Sequence, residues 1–143
     1  MMRSIRKRAC RRGSNAIEFA LTFPVFLAIT FAMIEFGWYF SRLAIHNSAA
    51  MDGCREGALV DEFVADPIPV AQARMQAVLN SAGVICSGCA TATLVGVVPE
   101  RTLECEVATP YAALTGAGVG YVLPSLMPTE IRSKTQSRLE WQR

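Results

Sequence analysis

Residues 1–40 read MMRSIRKRACRRGSNAIEFALTFPVFLAITFAMIEFGWYF, and this stretch decides the fold. Arg3, Arg6, Lys7, Arg8, Arg11 and Arg12 form a cationic block without an acid. An apolar run over residues 16–40 follows it, about 37 Å long as a helix at 1.5 Å per residue. A bilayer's hydrocarbon core is about 30 Å thick, so the run can span it with some tilt. Basic residues directly before a spanning helix hold that end in the cytoplasm. Trp38 and Tyr39 lie at the far end, where aromatic rings favour the interface, and Arg42 follows. A cleaved secretory signal fits less well, because its apolar region is about 7–15 residues and ends at small residues. Here the run is longer and ends on Trp38, Tyr39 and Phe40. Cys10 precedes the run, whereas a lipidated cysteine would follow it.

The chain has 143 residues, enough for one modest domain beside an anchor. Its apolar content of 52% is concentrated in the run, and its net charge of +2 comes from the N-terminal block. Beyond residue 13, eight basic residues face twelve acidic ones, so the body is mildly acidic. A basic tail can bind nucleic acid. This block has no aromatic residue to stack on bases, so no nucleic-acid partner is expected.

Two acids interrupt the apolar run. Charge at a bilayer centre costs about 2.5–3.5 kcal/mol and less near the interfaces. Glu35, near the outer edge, reads as an interfacial acid that reaches water. Glu18 lies near the helix start, where the dipole favours an anion. A nearby ammonium would favour it further, and cleavage after Gly13 would create one on Ser14. Pro24 removes a backbone donor, which membrane helices tolerate. Gly37 is a second weak point.

The helix is expected to continue past the bilayer to about residue 66. Ala49, Gly53 and Gly57 recur every four residues on one face and permit close approach in the manner of GxxxG packing. Asp66-Pro67-Ile68-Pro69 ends this run, because both prolines oppose its continuation. A short second helix is predicted over 70–82, with Gly83 suited to its end. Strands are predicted over 90–98 and 102–109, with a turn at Pro99-Glu100-Arg101. Leu103, Cys105 and Val107 alternate with Glu104, Glu106 and Ala108, so one face is buried and one is wet. Residues 111–127 are irregular, and 131–139 is a polar strand at an edge. Gly116-Ala117-Gly118-Val119-Gly120 lacks the spacing and lysine of a nucleotide loop and reads as a flexible connection.

The order of basic leader, Gly13, four residues, Glu18-Phe19 and apolar helix resembles type IVb prepilins and pseudopilins. Arg11-Arg12-Gly13, Ala16-Ile17-Glu18-Phe19-Ala20-Leu21, Pro24, Ile34-Glu35-Phe36-Gly37, Asn47-Ala49-Ala50 and Arg55-Glu56-Gly57-Ala58 together resemble the TadE-like family. Those proteins are pilin-like components of the tight-adherence (Flp) pilus machinery. The resemblance implies a leader over 1–13, a transmembrane helix over 14–40, its extramembrane continuation over 41–66 and a small domain over 67–143. It implies an α+β, pilin-like fold with an antiparallel sheet, in a single-pass protein of a bacterial inner membrane. It implies a prepilin peptidase that cuts after Gly13, other pilin or pseudopilin subunits, and a pilus assembly platform. In that family the glutamate at the position of Glu18, followed by Phe19, meets the N-terminal amine of a neighbouring subunit. No catalytic turnover and no cofactor is implied.

Of five cysteines, Cys10 would leave with the leader. Cys54, Cys86, Cys89 and Cys105 would then lie in an oxidising compartment, where at least one structural disulfide is expected. Four cysteines allow three complete pairings, and the sequence does not choose among them. Cys86-Ser87-Gly88-Cys89 either closes a local loop or ties these two to Cys54 and Cys105. The CxxC also opens an alternative, a signal-anchored envelope protein with a thiol-redox or metal-binding domain. A redox pair normally sits at a helix N-terminus, and a zinc site normally has more than one close pair; neither pattern is present. His46 has no ligand pattern around it and reads as an ordinary polar helix position. Glu104, Glu106 and Glu130 read as a solvated sheet face.

Overall fold

In the computed structural model, residues 10–61, 65–97, 100–112, 114 and 128–139 are described, with side chains from residue 15 onward. The apolar run and its extension form one helix, α1, over Cys10–Ala58. It passes through Pro24 without a break. Thr22 and Thr30 donate their hydroxyls back to the carbonyls of Glu18 and Phe26, which removes two polar groups from an apolar surface. The helix ends at Ala58, short of the expected residue 66, in a tightening turn. Leu59 N–H donates to the Glu56 carbonyl and Val60 N–H to the Gly57 carbonyl.

The second helix, α2, covers Pro67–Ser81 and starts earlier than expected. Asp66 and Pro67 begin α2 rather than end α1, which has already stopped at Ala58. The Asp66 carboxylate accepts from Ile68 N–H at 2.9 Å as the N-cap, and Pro67 occupies the first turn, where its missing donor costs nothing. Gly83, at φ 72°, closes the helix: its N–H reaches Asn80 O, and Val84 N–H reaches Leu79 O.

Three strands follow, β1 Ala90–Val95, β2 Thr102–Pro110 and β3 Glu130–Arg138. They form one antiparallel sheet in the order β1-β2-β3. The fold is α+β, a long N-terminal helix, a short helix and a three-stranded antiparallel sheet. β1 stops before residue 98 because Gly96 turns the chain at φ 101°. The predicted glycine-rich connection over 116–120, and most of the irregular segment 111–127, lie outside the described residues.

Along β2 the burial alternates as its sequence dictates. Leu103, Cys105 and Val107 are fully buried, while Glu104 and Glu106 face outward. On the outer face Lys134 Nζ pairs with Glu104 at 2.6 Å and Arg132 with Glu106 at 3.1 Å. Hydrogen bonds from Lys134 and Gln136 hold the Glu104 carboxyl below its ordinary range. Pairs on a solvated face are screened and contribute little to stability. The stabilising face is the inner one. There Ala49, Ala50, Cys54 and Ala58 of α1 meet Ala71, Met75 and Leu79 of α2 and the buried residues of β2.

The helices cross so closely because α1 offers glycine. A Cβ on Gly57 would fall 2.6 Å from Leu103 Cδ2, 2.8 Å from Ala71 Cβ and 3.0 Å from Pro67 O. A Cβ on Gly53 would collide with Met75 and lie 2.9 Å from Ala71 O. Gly37 has nothing within 4 Å. Gly57→Ala is therefore expected to lower stability by about 1–3 kcal/mol through overpacking. Gly37→Ala should be neutral or gain up to about 1 kcal/mol from helix propensity. Thermal unfolding of the full chain in detergent micelles checks the contrast.

Candidate functional site

Most of the N-terminal half of α1 is exposed, and among the described residues it carries no core contact before Glu35. Ile17, Leu21, Val25, Phe26, Ile29 and Met33 are all exposed, and apolar side chains surround the helix. A helix apolar on every side and unburied must find an apolar environment elsewhere, in lipid or against other helices. It is long and apolar enough to cross a membrane. Gly13 and Ser14 lie in its first turns. Glu18 is exposed on this surface, and among the described residues no side chain pairs with it. Phe19 is also exposed and stacks on Phe23 with ring centroids 5.2 Å apart.

Glu35 is treated differently. It is fully buried, which corrects the expectation of an acid reaching water. The Tyr111 hydroxyl donates to Glu35 Oε1, and so does Leu114 N–H at 3.1 Å. The chain beyond β2 thus folds back onto the helix and solvates the carboxylate with protein donors. Burial and the carboxylate acceptor both push the Tyr111 phenol above its ordinary value. The Tyr39 ring meets Tyr111 edge-on at 5.7 Å. Trp38 Nε1 donates to Ala112 O at 3.3 Å, and the Arg42 guanidinium sits 4.4 Å above the Trp38 ring.

His46, read from sequence as an ordinary helix position, is likewise buried. Nδ1 lies 2.7 Å from the Arg42 carbonyl and Nε2 lies 2.7 Å from Thr109 Oγ1. A carbonyl only accepts, so Nδ1 carries the proton and Nε2 accepts from the threonine hydroxyl. Burial lowers the pKa, keeping the ring neutral. One residue on, Ser133 Oγ donates to Asn47 Oδ1 at 2.6 Å and pins β3 to the same helix. The pairings of Glu35, His46 and Asn47 with Tyr111, Thr109 and Ser133 were not visible in the sequence, because these partners lie 63 to 86 residues apart.

Four of the five cysteines form two pairs. Cys54 and Cys105 join α1 to the central strand with Cα atoms 5.7 Å apart, and both are buried. Cys86 and Cys89 close the local loop before β1. They follow the end of α2 and precede a strand, so no helix N-terminus is present to stabilise a thiolate. Among the described residues no group of three or more His, Cys, Asp or Glu is placed to hold a metal ion. The redox and metal alternative gains no support from this geometry. Ala49, Gly53 and Gly57, for their part, face α2 and the core of their own chain.

A family model described as TadE-like protein matches residues 13–55, less than half of the chain and all within α1. No curated protein and no solved structure matches.

Removing Cys54–Cys105 by a double alanine substitution is expected to cost about 4 kcal/mol, from loop entropy over a separation of 51 residues. Removing Cys86–Cys89 should cost about 2 kcal/mol. Urea unfolding of the full chain in micelles distinguishes the two. The buried neutral His46 predicts a pH dependence. Its folded pKa is depressed, so the unfolded chain binds its proton first. Stability is complete above the ordinary value of 6.5 and is lost as pH falls below it. His46→Gln should flatten unfolding midpoints measured between neutral pH and pH ~5.

Proposed function

We propose that this chain, TadE-like over residues 13–55, is a minor pilin or pseudopilin that serves the biogenesis of a tight-adherence (Flp) pilus. The carrying observation is the coincidence of that match with a helix whose apolar half exposes its large side chains. The TadE-like family is a structural component of the pilus system and not a family of enzymes. The proposed activity is accordingly insertion, processing and packing, with no catalytic turnover.

In this reading a prepilin peptidase removes residues 1–13 at the inner face of the inner membrane, leaving Ser14 as the N-terminus. Residues 14–40 remain as the single membrane pass, with the domain on the outer side. The new amine of one subunit meets the Glu18 carboxylate of another. Glu18 is exposed on the apolar surface and Glu35 is not, which supports giving Glu18 the intermolecular role. Attraction between the two charges is far less screened in lipid than in water. Desolvation offsets much of the gain, so the pair sets register more than it adds stability. Other pilin or pseudopilin subunits and an assembly platform are the partners.

Mass spectrometry of the protein recovered from piliated cells tests the reading directly. A chain beginning at Ser14 is expected, and a retained leader would refute processing. Glu18→Ala should leave membrane insertion intact while reducing pilus number at least tenfold. Normal piliation in that variant would remove the role assigned to Glu18.

A further inference from the structure

Where the small domain meets the outer end of the apolar helix, its rim is largely uncharged, with Glu130 of β3, opposite Pro110, as its acid. α2 runs antiparallel to α1, since Pro67 lies beside Gly57 and Met75 beside Gly53. Its C-terminal end and the connection that follows therefore return toward the membrane. β2 does the same. Cys105 pairs with Cys54, Thr109 meets His46, and Ala112 meets Trp38. Among the described residues, 83–86, 110–112 and Leu114 thus reach back to this end of α1.

The hydrogen bonds to Glu35 fix how far. A hydrocarbon core of about 30 Å is crossed by roughly 20 helical residues. Counted from Ala16, the outer boundary falls near Glu35. Tyr111 and Leu114 bind Glu35 itself. The rim therefore sits at headgroup depth, beside the interfacial Trp38. Its composition suits that depth, because Gly83-Val84-Ile85-Cys86-Ser87-Gly88-Cys89 and Pro110-Tyr111-Ala112 contain no charged residue. Ile85 is 94% exposed, on a loop braced by the cap at Gly83 and the Cys86–Cys89 bridge. A single exposed isoleucine is ordinary in water; what distinguishes this one is its place beside Trp38 and Arg42, at the outer end of the apolar helix.

Between rim and helix lies a groove of about 400 Å³, with Trp38 and Arg42 on one wall and Ile85, Tyr111 and Ala112 on the other. Its cation is the Arg42 guanidinium, stacked on Trp38. Guanidinium binds phosphate with directed hydrogen bonds. We propose that this rim is a phospholipid-binding surface: Ile85 enters the outer leaflet, and the groove takes a lipid headgroup with its phosphate on Arg42. The proposal rests on the reading of α1 as a membrane span. It extends that reading by making the domain itself a membrane-bound body.

The full chain in nanodiscs of phosphatidylethanolamine and phosphatidylglycerol tests it, with Trp38→Phe and Trp141→Phe removing the native indoles. Single reporters are then placed by Phe26→Trp in the span, Ile85→Trp on the rim and Leu59→Trp at the far end of the domain. Quenching of the Phe26→Trp reporter by brominated acyl chains establishes the span, and its absence would sink both readings. With the span established, a headgroup nitroxide is expected to quench the Ile85→Trp reporter at least twofold more than the Leu59→Trp reporter. Equal quenching would overturn the rim proposal alone. So would blue-shifted Ile85→Trp emission without lipid quenching, which would assign the rim to a protein partner. On the native Trp38 background, Arg42→Gln should lower phosphatidylglycerol retention several-fold in mass spectrometry of detergent-released protein. Unchanged retention would remove the headgroup contact.

Discussion

The close approach of α2 to the backbone of α1 at Gly53 and Gly57 sets the geometry of everything beyond the apolar segment. Two helices normally lie about 8–10 Å apart, and the distance depends on the side chains between them. With glycine at both crossing points, Met75 and Ala71 press directly on α1. That proximity lets α2 and the sheet share one small core, sealed by Leu79, Leu103 and Val107. It also leaves Cys54 facing the central strand, where Cys105 meets it. A small domain gains little from its core alone, so the cross-link between its helical spine and its sheet is a substantial part of its stability.

The same helix carries two glutamates, and the structure gives them opposite settings. Glu35 is enclosed by donors from its own domain, which lets an acid persist at the edge of an apolar segment without water. Glu18 stands on the exposed apolar surface, with no side-chain partner among the described residues. An identical side chain is satisfied inside the chain in one case and left for the surroundings in the other. The difference arises from where the domain folds back, not from the local sequence.

That distinction also explains what the sequence revealed and what it hid. The α1 helix was legible because a long apolar run allows little else. The two-faced character of β2 was legible in the alternation of Leu103, Cys105 and Val107 with two glutamates. Asp66-Pro67 was misleading because the same pair can end one helix and cap the next, and only the geometry of Ile68 N–H separates the two uses. Glu35, His46 and Asn47 were opaque for a different reason. Their partners Tyr111, Thr109 and Ser133 come from far along the chain, after β2, in β2 and in β3, and no local pattern records such pairings. The TadE-like match ends at residue 55, so the domain beyond had only periodicity to guide its reading.

The contacts at Glu35, Trp38, His46 and Asn47 lie along three turns of α1 and grip it from β2, β3 and the segment after β2. A helix clasped at so many heights cannot swivel beneath its head. Whatever azimuth the apolar half adopts is handed on to the sheet without slippage. The polar edge strand β3 therefore always points in a direction preset by the helix, as a weathervane is by its spindle.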